Sequence, residues 1–268
     1  MAIMALHSAA TGLKALSTQL DVISNNLANA NNDGFKSSRV NFEDLFYQNL
    51  AQPGSETNAP SMRVSGLQVG LGTRVASTQL DFTKGSAIAS TGPMDLYIDG
   101  DGFFQVKVLQ GQGDSLAYTR TGKFVPDKDG NLVLNLGDGY KMEPPVQIPP
   151  NASNIAVSAD GRISYTLAGS TTSTQGPQLQ LAKVQNPSGL VQIGGNLYQT
   201  SASSGTVTMA NPGSEGLGGI KQGYVESSNV DPVTELVSLI KTQRTFELNS
   251  QSIQAADQML QQVNNLRH

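Results

Sequence analysis

Few residues of this sequence have the types and spacing that catalysis requires. The only histidines, His7 and His268, stand near opposite ends, so neither a histidine-based triad nor an imidazole metal site is expected. There is no cysteine, which excludes a disulfide framework, a zinc–thiolate site and a cysteine nucleophile. A carboxylate pair brought together by the fold stays open, although no pattern points to one. We therefore expect no enzyme, and we predict no catalytic, cofactor-binding or metal-ligating residue.

Two short acidic stretches superficially resemble calcium-binding loops. The stretch "DKDGN", which begins at Asp127, has Leu132 where an EF-hand loop needs glycine, and no glutamate follows at the required place. The stretch "DGDGF", which begins at Asp99, lacks a third ligand. Asp-Gly pairs at the corners of β-hairpins are the favoured interpretation of both.

Composition and charge narrow the class of protein further. Of the 268 residues, 38% are hydrophobic and only 14% are charged, and the net charge is −4. There is no basic field to attract nucleic acid or an anionic membrane, and no apolar run of about 18 residues that could span a bilayer. The N-terminus has no basic leader before a dense apolar core, so it does not resemble a cleaved secretory signal. If the protein leaves the cytoplasm, we expect a route that keeps its N-terminus.

Two long helices with narrow apolar seams are predicted at the two ends of the sequence. In both, apolar residues recur every seven positions over four heptads, which is the pattern of a coiled-coil seam. The side chains behind these seams are mainly Ser, Thr, Gln and Asn. Narrow seams favour helix pairing, within one chain or between copies of it; the alternative is ordinary amphipathic helices packed on a globular body. The residues expected in this assembly seam are Leu6, Leu13, Leu16, Leu20, Ile23, Leu27, Leu239, Phe246, Ile253 and Leu260.

Local signals predict where these helices end. Asp231 as N-cap, Pro232 at the first helical position and Glu235 in the first turn predict the start of the second helix. The first helix is predicted to stop at Gly34, which can adopt the left-handed conformation. The asparagines within residues 25–32 can bind the last unpaired carbonyls of the helix, or groups of a neighbouring subunit. A frayed, solvated helix end is the alternative.

The middle of the sequence is β-rich. Residues 48–81 contain no aromatic residue and many turn formers, which predicts an extended arm and linker. Short strand patterns follow, with hairpin turns at Asp129-Gly130 and Asp160-Gly161. We predict an α+β fold, with N- and C-terminal coiled-coil-type helices packed together and a central antiparallel β-rich domain. The predicted segments are helical residues 1–46, arm and linker residues 47–94, β-rich residues 95–222 and helical residues 223–268.

Four stretches of the sequence are distinctive: "DVISNNLANANNDGFK" near the N-terminus, "GDGFFQV" and "YTRTGKF" in the middle, and "GYVESSNVDPVTELVSLIKTQRTFELNSQSIQAADQMLQQ" near the end. They resemble the bacterial flagellar rod and hook protein family. The resemblance extends over nearly the whole chain, and its terminal motifs are specific to axial flagellar proteins. The residues that match the first family motif are Asn25, Asn26, Leu27, Asn29, Gly34 and Phe35.

The resemblance implies a structural subunit that polymerises into a tube, with terminal helices in the inner layer and the β domain outside. This tube would be the distal part of the flagellar basal-body rod, a rigid drive shaft that transmits torque to the hook and contains the export channel. The implied partners are other copies of the chain, the proximal rod and hook proteins, the surrounding P and L ring proteins, and the flagellar type III export apparatus. Neither nucleic acid, a small-molecule substrate nor a cofactor is implied. The implied location is the periplasm-spanning rod, reached by export without signal-peptide cleavage.

An insertion after the first helical region favours a rod protein over a hook protein within this family. The stretch "FEDLFYQNLAQPGSETNAPSMRVSGLQVGLG" contains it. We expect this arm to stiffen the polymer; a floppy surface loop is the alternative. The arm residues to which this role is assigned are Tyr47, Gln48, Gln52, Pro53 and Gly54.

Phe42 and Phe46 have the spacing of a Phe-x-x-x-apolar element that contacts the export gate in related export substrates. The alternative is the apolar face of a short helix. For the whole protein, the remaining alternatives are a hook or proximal rod protein of the same family and, from another class, a secreted coiled-coil adhesin or effector.

Overall fold

The computed structural model describes residues 2–51, 56–58, 61–62, 65–108, 116–137, 139–169 and 172–265. It confirms the predicted α+β fold: a long helix near each end of the chain and antiparallel strands between them. The chain divides into two compact units, of which the first comprises residues 1–28, 38–80 and 231–268 and the second residues 29–37 and 81–230. This division differs from the four consecutive segments expected from the sequence, because each unit is assembled from separated stretches of chain.

The first unit contains the two helices and three two-stranded ribbons. Helix α1 pairs with helix α2, β1 pairs with β6, β2 with β5 and β3 with β4, and all the strand pairs are antiparallel. The elements are α1 Ala2–Ala28, β1 Ser38–Asp44, β2 Tyr47–Ala51, β3 Glu56–Asn58, β4 Ser61–Met62, β5 Leu67–Gly70, β6 Thr73–Leu80 and α2 Pro232–Asn265.

The regular secondary structure of the second unit consists almost entirely of short strands. Its strands are β7 Ala87–Ala89, β8 Leu96–Asp99, β9 Phe104–Lys107, β10 Leu116–Thr119, β11 Phe124–Pro126, β12 Leu132–Leu134, β13 Lys141–Met142, β14 Ala152–Val157, β15 Arg162–Leu167, β16 Ser173–Gln178, β17 Leu181–Val184, β18 Val191–Gly194, β19 Leu197–Gln199, β20 Val207–Ala210, β21 Gly219–Gln222 and β22 Tyr224–Glu226. A 3-10 helix, Pro187–Gly189, precedes β18. The largest sheet has the order β11-β12-β13-β9-β10-β19-β18, and β14-β15-β16 form a second sheet. The remaining pairs are β17 with β20, β8 with β21 and β7 with β22.

The core of this second unit is apolar and well defined. Leu96, Phe104, Leu134, Ile163 and Leu181 have no accessible surface. The rings of Phe104 and Phe124 meet edge to face, with their centroids 5.1 Å apart, which is a favoured aromatic geometry. Burial of these side chains supplies the main driving force for folding of this unit.

Two of the three predicted Asp-Gly corners are hairpin turns. Asp129-Gly130 connects β11 to β12, and Asp160-Gly161 connects β14 to β15, each an antiparallel pair. Gly130 has φ = 77°, a left-handed conformation that favours glycine. The interpretation of "DGDGF" as a hairpin corner is wrong, because β8 and β9 on either side of it pair with β21 and β10 rather than with each other.

The predicted start of α2 is confirmed, whereas the predicted stop of α1 is wrong. The Asp231 carboxylate accepts hydrogen bonds from the Val233 amide (3.1 Å) and the Thr234 hydroxyl (2.6 Å). The hydrogen bond from Thr234, which has the largest effect, and that from Val233 lower the pKa of Asp231. Helix α1 ends at Ala28, before Gly34. Gly34 does have a left-handed φ of 73°, but in the turn that follows the helix.

Candidate assembly interface

The two helices form an antiparallel pair within the chain. At one end, the Nδ2 atom of Asn26 donates to Oε1 of Glu235 at 3.1 Å. Further along, a Cβ placed on Gly12 would lie 3.3 Å from Nδ2 of Asn249. Fourteen residues separate Asn26 from Gly12, and fourteen separate Glu235 from Asn249, so the two helices run in opposite directions and in register. Glycine at position 12 allows α2 to approach α1 closely at this point.

The structure places most of the predicted seam on the packed side of this pair. Ile23 is buried, and Leu260 is exposed because the helix register carries it beyond the first residue of α1. The seam positions between these extremes are all half-buried: Leu6, Leu13, Leu16, Leu20, Leu27, Leu239, Phe246 and Ile253. Pairing within one chain therefore covers only part of the seam surface. Whether the remainder packs against another copy stays a prediction.

Small and polar residues outside the listed seam also lie on the packed side of the helix pair. Ala15, Thr242 and Ala256 are each at most 4% exposed. The Thr242 hydroxyl is satisfied by donating to the carbonyl of Ser238, one helical turn earlier. Ala15, Thr242 and Ala256 interrupt the leucine pattern, and they are buried because the two helices approach each other closely.

Helix α2 has a second apolar face that the heptad pattern did not reveal. Val233, Val237 and Ile240 are 69%, 61% and 51% exposed, and Leu236 and Leu248 are also exposed. At 3.6 residues per turn these residues lie on roughly the opposite side of the helix from buried Thr242. The expectation that polar residues stand behind the α2 seam is therefore wrong for its first turns, although Arg244, Glu247 and Gln251 occupy that side further along. The spacing of Val233, Leu236, Val237 and Ile240 at i, i+3, i+4 and i+7 was the signal in the sequence.

The Asn26 amide makes hydrogen bonds through both its oxygen and its nitrogen. It is 2% exposed, and its Oδ1 atom accepts the Ser38 amide at 2.9 Å while its Nδ2 atom donates to the Ser38 carbonyl at 2.8 Å. With the bond to Glu235, one side chain ties the end of α1 to the start of β1 and the first turn of α2. These contacts lie within one chain, so Asn26 does not act as a capping group for the last carbonyls of α1.

The other residues of the first family motif lie at or after the end of α1. Asn25 is exposed, Asn29 is half-buried and Phe35 is buried. Gly34 cannot be replaced without strain, since a Cβ there would lie 2.8 Å from the backbone nitrogen of Thr121. The Gly34 amide donates to the carbonyl of Glu226 at 2.8 Å. The turn after α1 is thus closely packed.

The predicted arm is a β-ribbon where the structure describes it. Strands β2 and β5 pair antiparallel, with Tyr47 opposite Gly70 and Gln48 opposite Val69. Tyr47 is 55% exposed, and Gln48 is also exposed. A hydrogen bond with Asp44 raises the pKa of the Tyr47 hydroxyl. The other arm residues, Gln52, Pro53 and Gly54, lie outside the described residues.

The phenylalanines assigned to the export gate are both exposed. Phe42 lies in β1 and is 41% exposed, and Phe46 follows that strand and is 89% exposed. The alternative of a short amphipathic helix is wrong, because this stretch pairs with β6 in an antiparallel ribbon. Exposure leaves Phe46 accessible in the folded chain.

A buried charged cluster in the second unit was not foreseen. Lys36 and Glu226 are essentially inaccessible, and Lys36 Nζ lies 2.7 Å from Glu226 Oε1. Nη1 of Arg120, a residue 3% exposed, lies 3.5 Å from Glu226 Oε2. Burial lowers the pKa of Lys36 and that of Arg120, although the nearby Glu226 charge acts in the opposite direction on both. Sequence reasoning had no signal for it, since 190 residues separate Lys36 from Glu226.

No arrangement suited to metal chemistry is found in the described part of the chain, where no three His, Cys, Asp or Glu side chains cluster. The histidine His7 is exposed on α1, and His268 lies outside the described residues. Neither of the two described helices has the length and apolar content needed to cross a membrane.

Three protein-family models match the chain. They are described as flagella basal body rod protein (residues 6–36), flagellar hook protein FlgE/F/G D1 domain (residues 97–165) and flagellar basal body rod FlgEFG protein C-terminal (residues 221–266). The chain is 44% identical over 256 residues to the flagellar basal-body rod protein FlgG of Buchnera aphidicola subsp. Schizaphis graminum, covering 96% of each chain. It is 40% identical over 264 residues to the protein of the same name from Caulobacter vibrioides, covering 98% of this chain and 99% of the relative. It is 29% identical over 272 residues to the flagellar hook-basal body complex protein FlhP of Bacillus subtilis, covering 97% and 98%.

Proposed function

Because the chain belongs to the flagellar basal-body rod protein family, we propose that it is the structural subunit of the distal rod. In this role, copies of the chain assemble into a rigid tube that transmits torque to the hook and surrounds the export channel. The observation that carries self-assembly is the second apolar face of α2. Val233, Leu236, Val237 and Ile240 expose it on the side away from α1, and another copy of the chain would bury it.

The packed face of α2 serves folding of the chain, and the opposite face serves assembly. The face that includes Thr242 and Ala256 is buried within the chain, so it holds the helix pair together before assembly. Over residues 233–240 the opposite face is rich in β-branched and leucine side chains, whose burial is favourable by about 25 cal/mol per Å² of apolar area. A helix with apolar residues on both sides is typical of one that is enclosed on both sides.

The family places the subunit among the axial components of the flagellar basal body. Beyond this, we propose that it contacts the proximal rod and hook proteins at the ends of the tube, and the P and L ring proteins around it. The rod would span the periplasm, and the subunit would reach it through the type III export apparatus without signal-peptide cleavage. In such a subunit the side chains serve packing rather than chemistry, and we expect no catalytic activity.

The β2–β5 ribbon is proposed to stiffen the rod. Tyr47, Leu50 and Leu67 are each about half exposed on it, and exposed apolar residues on a two-stranded ribbon offer contact surface to a neighbouring subunit. Such contacts would resist the sliding between subunits that bending requires. The insertion that contains this ribbon also separates the proposed rod function from the alternative of a hook protein.

The test of this function is electron microscopy of the purified protein after concentration. Straight hollow tubes are the expected result, and persistent monomers under conditions that polymerise a related rod protein would contradict the proposal. A variant in which residues 49–68 are replaced by Asn-Gly keeps Gln48 opposite Val69 and closes the ribbon with a two-residue turn. This variant should form tubes that bend. Tubes as straight as those of the parent would contradict stiffening by the arm but leave the rod function intact.

Phe42 and Phe46 are proposed to contact the export gate during secretion. The double variant Phe42→Ala/Phe46→Ala should reduce the amount of subunit exported by cells, while the purified variant still assembles. Substitution of Leu50, which is 49% exposed, by alanine provides a control for loss of an exposed apolar side chain. Export of the Phe42→Ala/Phe46→Ala variant at the parent level would contradict this proposal.

A further inference from the structure

The chain passes between its two units at four points, and in the second unit these points belong to three short segments. The first segment comprises residues 29–37, the second residues 81–86 and the third residues 224–230. We call them the crossing segments. They follow α1, lead from β6 and precede α2 respectively. Their mutual arrangement therefore determines where the chain leaves the second unit.

The buried charged cluster connects all three crossing segments. Lys36 of the first segment donates from Nζ to the Thr83 carbonyl of the second at 2.7 Å, and to Glu226 Oε1 of the third at 2.7 Å. The Gly85 amide of the second segment donates to the same Glu226 oxygen at 2.9 Å. Each segment is thus bonded to both of the others through two side chains that are inaccessible to solvent.

Asn229 makes a second connection beside the first. Its Oδ1 atom accepts the Ser37 amide at 2.8 Å, and its Nδ2 atom donates to the Asp81 carbonyl at 2.8 Å. In addition, the Asp81 amide donates to the Ser37 carbonyl at 2.9 Å. The backbone groups at the crossing points are therefore held by the Asn229 side chain as well as by backbone hydrogen bonds.

Arg120 joins this arrangement to the body of the unit. Its guanidinium lies 5.3 Å from the centre of the Phe103 ring and within ion-pair distance of Glu226. Among the residues that the structure describes, however, Arg120 Nε and Nη1 and Glu226 Oε2 make no hydrogen bond. Three buried charges with incomplete hydrogen bonding are a poor means of stabilising a core, since apolar residues of similar volume often do as well or better.

We propose that Lys36, Glu226 and Arg120 form a positioning clamp, which fixes the three crossing segments relative to one another instead of stabilising the β core. Directional bonds suit this task because they specify one arrangement, whereas apolar contacts allow neighbouring segments to slide. Force applied to any one of the crossing points would then be shared among all three segments. The clamp is a property of the single chain and does not depend on the proposed rod function.

Hydrogen–deuterium exchange of the full chain, kept below its assembly concentration, tests the clamp. In the triple variant Lys36→Met/Arg120→Met/Glu226→Met, all three buried charges are removed and the volume is approximately kept, so no buried charge is left unpaired. Exchange in peptides from the three crossing segments should become at least about tenfold faster through local opening. Peptides that contain β8, β9 and β12 should exchange at the parent rate. A uniform effect on stability could not produce this contrast.

Two further variants serve as comparisons, one within the clamp and one outside it. Lys36→Met alone removes the bonds to Thr83 and Glu226 but leaves Arg120 beside Glu226, and it should also accelerate exchange in the crossing segments. Lys123→Met removes an exposed ion pair to Asp33 of the first segment, with side chains 41% and 27% exposed, and should leave exchange unchanged. Parent-like exchange of the crossing segments in the triple variant would overturn the clamp. So would equal acceleration in the core strands, or a triple variant that does not fold, because the cluster would then belong to core stability.

Discussion

The exposed face of α2 offers the sharpest test of assembly. Val237 and Ile240 are 61% and 51% exposed, and burying a whole side chain of this size is worth about 1.5–3 kcal/mol. Covering what remains exposed would therefore contribute about 2 to 3 kcal/mol for the two residues together. Replacing both with serine should weaken each contact between copies roughly thirty- to a hundredfold, since about 1.4 kcal/mol corresponds to a factor of ten.

The stability of the folded monomer should change little in this double variant. Serine has nearly the same helix propensity as valine and isoleucine, and exposed substitutions usually change stability by less than about 0.5 kcal/mol. Urea unfolding below the assembly concentration measures the stability of the monomer. Light scattering over a concentration series measures the concentration at which polymer appears, which should rise in proportion to the weakened contact.

The control for this experiment lies on the same helix. Gln243→Ser/Thr245→Ser changes two exposed polar positions on other sides of α2, and assembly should remain at the parent concentration. If Val237→Ser/Ile240→Ser also assembles at that concentration, the second face does not contact another copy. If the variant instead loses monomer stability, this face is used in folding and the reasoning fails in a different way.

Three further substitutions test the turns and caps of the fold. Asn26→Ala should cost about 1–3 kcal/mol in urea unfolding, because it leaves the amide and carbonyl of Ser38 without their buried partner; an unchanged midpoint would contradict this. Gly34→Ala should lower the melting temperature more than Gly213→Ala, since both have φ near +75° but only the first places a Cβ against backbone; equal effects would leave no role for the contact. Asp231 has a lowered pKa in the folded chain, so its stabilising effect is present above the unfolded pKa of about 3.9 and is lost as pH falls through the folded value. Asp231→Asn should keep the cap but flatten this acid limb in unfolding measured from about pH 5 to about pH 2.

Features that depend on neighbouring residues could be predicted from the sequence. The seven-residue period predicts both helices, and Asp231 followed by Pro232 predicts the start of α2, because helix formation and capping involve groups a few residues apart. Asp129-Gly130 and Asp160-Gly161 predict their hairpins for the same reason. The spacing of apolar residues from Val233 to Ile240 also indicates the second face of α2, but the heptad pattern describes only the other side of the helix.

The sequence by itself thus determined the helices, the start of α2, two hairpins and the family. The tertiary structure alone decided with which strands the two neighbours of "DGDGF" pair, that Asn26 ties α1 to both β1 and α2, and that Lys36 meets Glu226 inside the second unit. No local signal exists for such contacts, because groups 190 residues apart meet only when the packing of the whole chain brings them together. A buried lysine is also disfavoured on its own and becomes acceptable only beside its partner, so its position could not be inferred before the fold was known.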